Sequence, residues 1–209
     1  MDIAIALYDR FTALDCVGPY DVLSRLPGAR VHWLAVKPGP VRADAGLIVQ
    51  AQGAFADMPE PDVLLVPGGM RFPSQDEDPE LLAWIASAHE HTTWTTSVCT
   101  GSLALGAAGI LEGVAATSHW AAIDALSQYG AVPTRDRVVF AGKIATAAGV
   151  SAGIDLALAL AARIADRDTA EAIQLGIEYD PEPPFDSGDA DSASDEVRQR
   201  ALEALLASQ

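Results

Sequence analysis

Short apolar runs alternate along this chain with segments of helical length, and this alternation constrains the fold more than any other feature. Four runs are rich in aliphatic, β-branched or aromatic residues, namely 2–7, 31–37, 63–67 and 93–98. Three helix-length segments lie between or after them, at residues 14–26, 79–90 and 101–108. Strands separated by helices form βαβ units around a mostly parallel sheet. The sequence therefore predicts an α/β fold with a mostly parallel sheet flanked by helices on both faces.

The second half of the chain continues this pattern. Residues 137–146 predict a β-hairpin, and Ser151 is a suitable N-cap for a helix rich in Ala and Leu over residues 152–165. A further helix is predicted over residues 169–179. Half of all residues are hydrophobic, which is ample for one buried core.

The C-terminal stretch differs in composition from the rest. Residues 180–196 combine Pro, Asp, Ser and Gly, which suit no regular element, and a short helix is predicted over residues 197–207. We expect one domain over residues 1–180, followed at residues 181–209 by an acidic, Pro-rich arm and a short helix. We interpret the acidic stretch as a solvated linker, and the alternative is an arm ordered against a second subunit.

Charge and cysteine content exclude several classes of function. The formal net charge of -16 would repel phosphate backbones and anionic lipids, so we expect no nucleic acid or membrane partner. Two cysteines are too few for a disulfide scaffold, which fits a reducing compartment. Neither a basic leader nor a bilayer-length apolar run is present, so we expect a cytoplasmic protein.

One of the two cysteines has a distinctive context. Thr-Thr-Ser-Val-Cys-Thr-Gly-Ser, residues 95–102, places Cys99 at the end of a predicted strand, just before Gly101 permits a helix to begin sharply. Such a nucleophile elbow lifts the side chain above the carboxyl ends of the strands, where α/β sheets bind ligands. The first amides of the helix are expected to favour the thiolate. Cys16 lies within a helical pattern and is interpreted as a buried core residue.

Three motifs, in this order and spacing, resemble the ThiJ/PfpI superfamily of glutamine-amidotransferase-like proteins. They are Val-Pro-Gly-Gly at residues 66–69, Ser-Val-Cys-Thr-Gly-Ser around Cys99, and Ala-Thr-Ser-His-Trp at residues 116–120. Residues 11–23 are similar to the same segment of bacterial isonitrile hydratases and of amidase-like domains in AraC-type regulators. Residues 177–186 resemble a stretch typical of the isonitrile hydratase branch. The resemblance covers about residues 1–185 and implies a flavodoxin-like sheet and, usually, a homodimer.

The resemblance also implies functional residues. In isonitrile hydratases these are a cysteine, the threonine after it and an N-terminal aspartate, which correspond to Cys99, Thr100 and Asp15. The implied reaction hydrates an isonitrile to an N-substituted formamide through a thioimidate on Cys99, with Asp15 as general acid and base. It needs a small-molecule substrate and no metal or organic cofactor. Cys16 departs from relatives that often carry an aromatic or aliphatic residue there.

Each supporting residue also has a structural interpretation. Asp15 is a good N-cap, so its spacing alone fits helix capping as well as catalysis. Gly68 and Gly69, with Gly101 at the helix start, can bring backbone N–H groups to a reacting atom or form a plain turn. The Thr100 hydroxyl is expected to support the thiolate or a water rather than to be essential.

His119 leaves the reaction class open. It is either a general base for Cys99, as in cysteine hydrolases, or a residue of the pocket wall. A Cys99–His119 pair would suit an amidase, peptidase or glyoxalase-like hydrolase, which is the first alternative function. The second is a ligand-sensing or redox-responsive domain without enzymatic activity. No two of the four histidines form a convincing metal site with carboxylates.

Overall fold

A computed structural model describes residues 1–207 of the chain. Its strands are β1 (Asp2–Ala6), β2 (Arg30–Ala35), β3 (Gly39–Arg42), β4 (Ile48–Ala51), β5 (Gly53–Ala54), β6 (Val63–Val66), β7 (Trp94–Val98), β8 (Ala115–Ala116), β9 (Val132–Pro133), β10 (Val138–Ala141) and β11 (Ile144–Ala147). Its α-helices are α1 (Ala13–Leu23), α2 (Pro79–His91), α3 (Gly101–Ala107), α4 (Ala152–Ile164), α5 (Arg167–Gly176) and α6 (Asp195–Ala207). The predicted strands and helices are confirmed, with ends that differ by at most three residues.

Seven strands form the main sheet in the order β10-β11-β7-β6-β1-β2-β5. All neighbouring pairs are parallel except β10 with β11, which form the predicted antiparallel hairpin. From β1 the chain first moves outwards to β2, and it later returns to place β6 on the other side of β1. The carboxyl ends of β1 and β6 therefore flank the point where the strand order reverses, which is where open α/β sheets bind ligands.

The direction of each crossover sets which face a helix covers. The connection from β1 to β2 runs in the opposite direction to that from β6 to β7, and right-handed crossovers place their helices, α1 and α2, on opposite faces. Helix α1 packs against α4, and α4 packs against α5, whereas α2 packs against α3. The predicted sheet with helices on both faces is confirmed.

Burial on both faces explains why the central strands are continuous apolar runs. All of Val63–Val66 is buried, as are residues 3–6 of β1. In α4 the residues that face the core are mostly Ala and Leu, including Leu156 and Leu160. Ser151 occupies the N-cap position of α4 as predicted, but its side chain accepts no capping bond and instead accepts one from Arg137 at 3.2 Å.

The sequence analysis missed the antiparallel hairpin formed by β3 and β4. Its strands pair Gly39 with Ala51 and Arg42 with Ile48, and its turn carries Asp44. The hairpin touches the chain after β1 through an isolated bridge between Phe11 and Ala43. The hairpin therefore lies beside the start of α1, near the carboxyl end of β1.

The arm is largely irregular, as predicted. Residues 177–194 contain no helix or strand, but Ala193 is buried and Asp191 lies 3.7 Å from Arg135 of the main domain. Helix α6 begins at Asp195, two residues before its predicted start, and exposes Leu202 and Leu206. The last two residues of the predicted tail, 208 and 209, lie outside the described residues. Over residues 1–207 no helix is both long and apolar enough to cross a membrane.

Candidate active site

Cys99 lies in a strained turn between β7 and α3. Its φ of 57° is in the left-handed region, which residues with a side chain rarely adopt. The turn is held because the Cys99 N–H donates at 3.1 Å to the carbonyl of Ala147, the last residue of β11, and at 2.9 Å to that of Ala148. The side chain is 6% exposed. This geometry is the predicted nucleophile elbow.

Gly101 lets the helix begin directly against the neighbouring strand. A Cβ atom at this position would lie 2.2 Å from the carbonyl oxygen of Val66, the last residue of β6. A glycine is therefore required for close packing of α3 on β6. This contact brings the turn at Cys99 next to the Pro-Gly-Gly segment that follows β6.

Asp15 lies in the first turn of α1 and is fully buried. Thr12 occupies the N-cap position, so the capping interpretation of Asp15 is wrong. Its Oδ2 accepts a hydrogen bond from the Gly68 N–H at 2.8 Å. Its Oδ1 is buried and accepts no hydrogen bond of ordinary geometry from the described residues. A buried oxygen without such a bond is unusual, and it leaves a lone pair available for proton transfer.

The Asp15 carboxyl and the Cys99 thiol interact in this crevice. Burial raises the pKa of Asp15 from its usual 3.8 to about 7, and hydrogen bonds from Gly68 and Cys99 oppose that rise. Burial also raises the pKa of the Cys99 thiol to about 12, and the charge of Asp15 adds to this effect. Near neutral pH Cys99 therefore keeps its proton while Asp15 titrates, and a charge on either group disfavours ionisation of the other.

The predicted effect of the helix amides in favour of the thiolate is present, but it does not make Cys99 a thiolate in the resting site. The N–H groups of Val150 and Thr100 do lower the thiol pKa, together with the Thr100 hydroxyl. Burial outweighs them, because a charge in a dry site loses its hydration. A thiolate at Cys99 would therefore require transfer of the thiol proton to a base.

Thr100 and the two glycines form one connected unit. The Thr100 hydroxyl donates to the Gly69 carbonyl and accepts from the Gly69 N–H, each at 3.0 Å. A Cβ at Gly68 would lie 2.6 Å from the Thr100 nitrogen and 2.9 Å from Asp15 Oδ2. In this structure the two glycine amides hold Asp15 and Thr100, and their predicted role towards a reacting atom stays a prediction.

His119 lies beside the elbow, but Asp15 and Cys99 do not shift its pKa. Its ring packs on Gly149, where a Cβ would lie 2.8 Å from the ring, and its Nδ1 accepts from the Ala121 N–H at 3.3 Å. Burial is the cause that lowers its pKa, and neither Cys99 nor Asp15 contributes to the shift. This environment fits a residue of the pocket wall better than a general base.

A cavity of about 960 Å³ opens beside the elbow. Its inner wall includes Val150, whose N–H faces the Cys99 sulfur, and Ser118, whose hydroxyl donates to the Cys99 carbonyl at 3.1 Å. His119 and Trp120 also line the cavity, as do arm residues such as Pro181. The arm thus lines a cavity that includes two neighbours of Cys99, Ser118 and Val150.

Sequence reasoning missed two groups that support the site. The buried Tyr8 hydroxyl donates to the Pro67 carbonyl at 2.9 Å and so holds the turn that carries Gly68. Val150, with a φ of 20°, aims its N–H at the sulfur. Tyr8 follows directly on a buried strand, which is a usable signal. Val150 contributes through its backbone, so its residue type gives no signal.

Comparisons with known proteins agree with this geometry. The DJ-1/PfpI family profile matches residues 1–163. An isonitrile hydratase from Pseudomonas putida is 45% identical over 209 residues, which cover 98% of this chain and 92% of the relative. The regulator CdhR of Pseudomonas aeruginosa, described as HTH-type, is 33% identical over 72% of this chain but 46% of its own length.

Solved structures show the same fold. The crystal structure of a ThiJ/PfpI family protein from Pseudomonas syringae superposes with a TM-score of 0.92 at 40% identity, covering 98% of this chain and 86% of that one. Schizosaccharomyces pombe DJ-1 superposes with a TM-score of 0.73 at 17% identity, covering 87% of this chain and all of that one. The second likeness concerns the fold alone.

Proposed function

This chain belongs to the DJ-1/PfpI family, and from that membership we propose that it is an isonitrile hydratase, a lyase that adds water to an isonitrile and releases an N-substituted formamide. Identity of 45% to an isonitrile hydratase over nearly the whole chain supports this reaction. The site residues implied by the sequence resemblance, Asp15, Cys99 and Thr100, lie together in one crevice.

The observation that carries the proposal is the pairing of the Cys99 thiol with a buried carboxyl that keeps one oxygen available. An isonitrile carbon must receive both a proton and a nucleophile, so it needs an acid and a thiolate at the same place. The pKa of Asp15, about 7, suits a group that both accepts and donates a proton near neutral pH.

In the first step the sulfur and the proton of the thiol both add to the isonitrile carbon. The Cys99 proton passes to Asp15 Oδ1, and Asp15 delivers a proton to the carbon while the sulfur forms a bond to the same carbon. The product is a thioimidate, R–N=CH–S, on Cys99, and Asp15 is again a carboxylate. The amides of Val150 and Thr100 stabilise the negative charge that develops on the sulfur.

In the second step water replaces the sulfur. Asp15 takes a proton from water as the oxygen adds to the thioimidate carbon, and then gives a proton to the nitrogen. The carbon–sulfur bond of the resulting R–NH–CH(OH)–S adduct breaks, and the hydroxyl proton returns to the thiolate through Asp15. The formamide R–NH–CHO leaves, and the resting pair is restored with all atoms balanced.

The cavity beside Val150 would take the substituent of the isonitrile. An isonitrile is linear at its nitrogen, so a substrate with its carbon at Cys99 must extend its substituent away from the buried pair. The cavity that Trp120 and the arm line is also lined by Ser118 and Val150, which hydrogen-bond to Cys99. Pockets of several hundred Å³ are the usual size for small-molecule ligands.

We expect the purified protein to convert cyclohexyl isonitrile to N-cyclohexylformamide without added metal or cofactor. Formamide is measured by chromatography with mass detection, and a heat-denatured sample serves as the blank. A para-substituted phenyl isonitrile tests whether an aromatic substituent is accepted. If native protein produced no formamide from either compound, the proposed reaction would be wrong.

His119→Gln is expected to keep the hydration rate within about fivefold of the wild type, because nothing ties the ring to the proton transfers. The result separates hydration from the alternative of a Cys99–His119 hydrolase, in which the variant would lose about 10²- to 10⁴-fold. Initial rates of formamide formation measure the difference. A loss of hundredfold or more, with an unchanged melting temperature, would make His119 a catalytic base.

A further inference from the structure

The β3–β4 hairpin is tied to the loop that carries Asp15. The Asp44 N–H donates to the Phe11 carbonyl at 2.9 Å, and Asp44 Oδ2 accepts from the Thr12 hydroxyl at 2.6 Å. Phe11 also forms isolated bridges with Ala43 on the hairpin and with Gly69. The hairpin is therefore joined directly to the segment after β1 and, through Phe11, to the segment after β6.

A continuous series of hydrogen bonds runs from Asp44 to the reactive carboxyl. Asp44 accepts from Thr12, the Thr12 N–H donates to the Gly68 carbonyl at 2.8 Å, and the Gly68 N–H donates to Asp15 Oδ2 at 2.8 Å. Thr12 is also the N-cap of α1, and its carbonyl accepts from the Asp15 N–H at 3.2 Å. A displacement of Asp44 would therefore be transmitted through Thr12 and Gly68 to Asp15.

The surroundings of Asp15 make Asp44 its important charged neighbour. Among the described residues, the titratable groups that interact electrostatically with Asp15 include Tyr8 after β1, Cys16 on α1, Asp44 on the hairpin and Cys99 after β7. Burial raises the pKa of the tyrosine and of both thiols, so these three are neutral near pH 7. The negative charge of Asp44 raises the pKa of Asp15.

From this geometry, and resting on the proposed hydration reaction, we infer that Asp44 is a positioning residue of the site: it anchors the start of α1 through Thr12 and places a carboxylate beside the segment that carries Asp15. On this inference the β3–β4 hairpin contributes to the site through Asp44. Through Asp44 it sets the pH range in which Asp15 can exchange its proton with Cys99 and the substrate.

Asp44→Asn tests the inference through the pH dependence of kcat/KM. Wild-type activity is expected to rise with pH through about 7, because the pair must lose one proton before Asp15 can accept the thiol proton. Without the charge of Asp44, Asp15 ionises more readily, so the midpoint is expected to fall by about half a pH unit or more. At pH 6 the variant then retains a larger fraction of its maximal rate than the wild type.

Thr12→Val is the matched control. It removes the hydroxyl that donates to Asp44 and leaves the charge in place. A purely structural role predicts that both variants lose rate with the same midpoint as the wild type. The inference predicts that Asp44→Asn alone lowers the midpoint. An unmoved midpoint in Asp44→Asn, or an equal decrease in both variants, would overturn it.

A second readout does not depend on isonitrile turnover. The carboxyl carbon of Asp15, labelled with ¹³C and assigned by its loss in Asp15→Asn, reports ionisation directly by NMR. We expect its titration midpoint to move to lower pH in Asp44→Asn and to stay in Thr12→Val. A protein without hydratase activity that shows this movement would disprove the proposed reaction and keep the inference. A protein that hydrates isonitriles but shows no shift of the Asp15 titration midpoint in Asp44→Asn would support the proposed reaction and disprove the inference.

Discussion

Cys99→Ala is expected to lower isonitrile hydration by about 10⁴-fold or more, because the covalent route through the thioimidate is lost with the sulfur. Asp15 would remain as an acid, but it would face no nucleophile of comparable strength. The fold is expected to survive, since alanine loses one atom and the backbone bonds to Ala147 and Ala148 do not involve the side chain.

Mass spectrometry of the wild type provides the direct counterpart. Brief incubation with an isonitrile followed by acid quench is expected to add the mass of one intact isonitrile to the peptide that carries Cys99. Cys16→Ala is the matched control, because it removes the other buried thiol and leaves the labelled position intact. Labelling that disappeared with Cys16 and persisted in Cys99→Ala would contradict the assignment of the nucleophile.

Asp15→Asn is expected to lower hydration by about 10³- to 10⁴-fold, since an amide cannot accept the thiol proton or deliver one to carbon. Its oxygen can still accept the bond that Gly68 donates to Asp15. The loss is therefore expected to appear in kcat rather than in KM. A variant that kept full activity would remove Asp15 from the mechanism.

The same substitution is expected to stabilise the protein at alkaline pH. A carboxyl whose folded-state pKa lies above its usual value supports the fold fully below the usual 3.8, and this support is lost as pH rises through about 7. At about 1.4 kcal/mol per pH unit, the penalty that remains above pH 7 approaches about 4 kcal/mol. Asparagine is uncharged in both states and avoids it.

Denaturant unfolding at pH 5 and pH 8 measures this effect. The free energy of unfolding of Asp15→Asn, relative to the wild type, is expected to increase by about 3 kcal/mol between these two pH values. Because both proteins share all other titrating groups, the comparison isolates Asp15. An equal difference at both pH values would show that the pKa of Asp15 is not raised to about 7 in the folded protein.

The position of Cys99 in its turn was predictable because the signal is local. A strand, a cysteine and a glycine that opens a helix follow one another within residues 94–101, and the structure places them as expected. The role of Asp15 was not decided locally, since capping and catalysis use the same residue type. Its bond to Gly68 spans 53 residues, and such contacts leave no trace in a short window.

Two other features could not be predicted from the sequence, for physical reasons. The strands of the β3–β4 hairpin are short and partly exposed, so their apolar residues form no long run, although Asp44-Ala45-Gly46 between Arg42 and Ile48 carries turn residues. The protonation of Cys99 was misjudged because the helix amides are visible in sequence and the depth of burial is not. The predicted homodimer stays a prediction.

Asp15, Gly68 and Cys99 lie on segments that follow the carboxyl ends of β1, β6 and β7, so the opposite rim of the sheet is remote from these residues. The turn that leads into β2 there, at Pro27 and Gly28, is exposed. Exposed turns remote from chemistry accept insertions and fusions most readily. A fluorophore, an affinity tag or a second protein attached at that rim would leave the reacting groups undisturbed, which makes this scaffold suited to building sensors or immobilised catalysts.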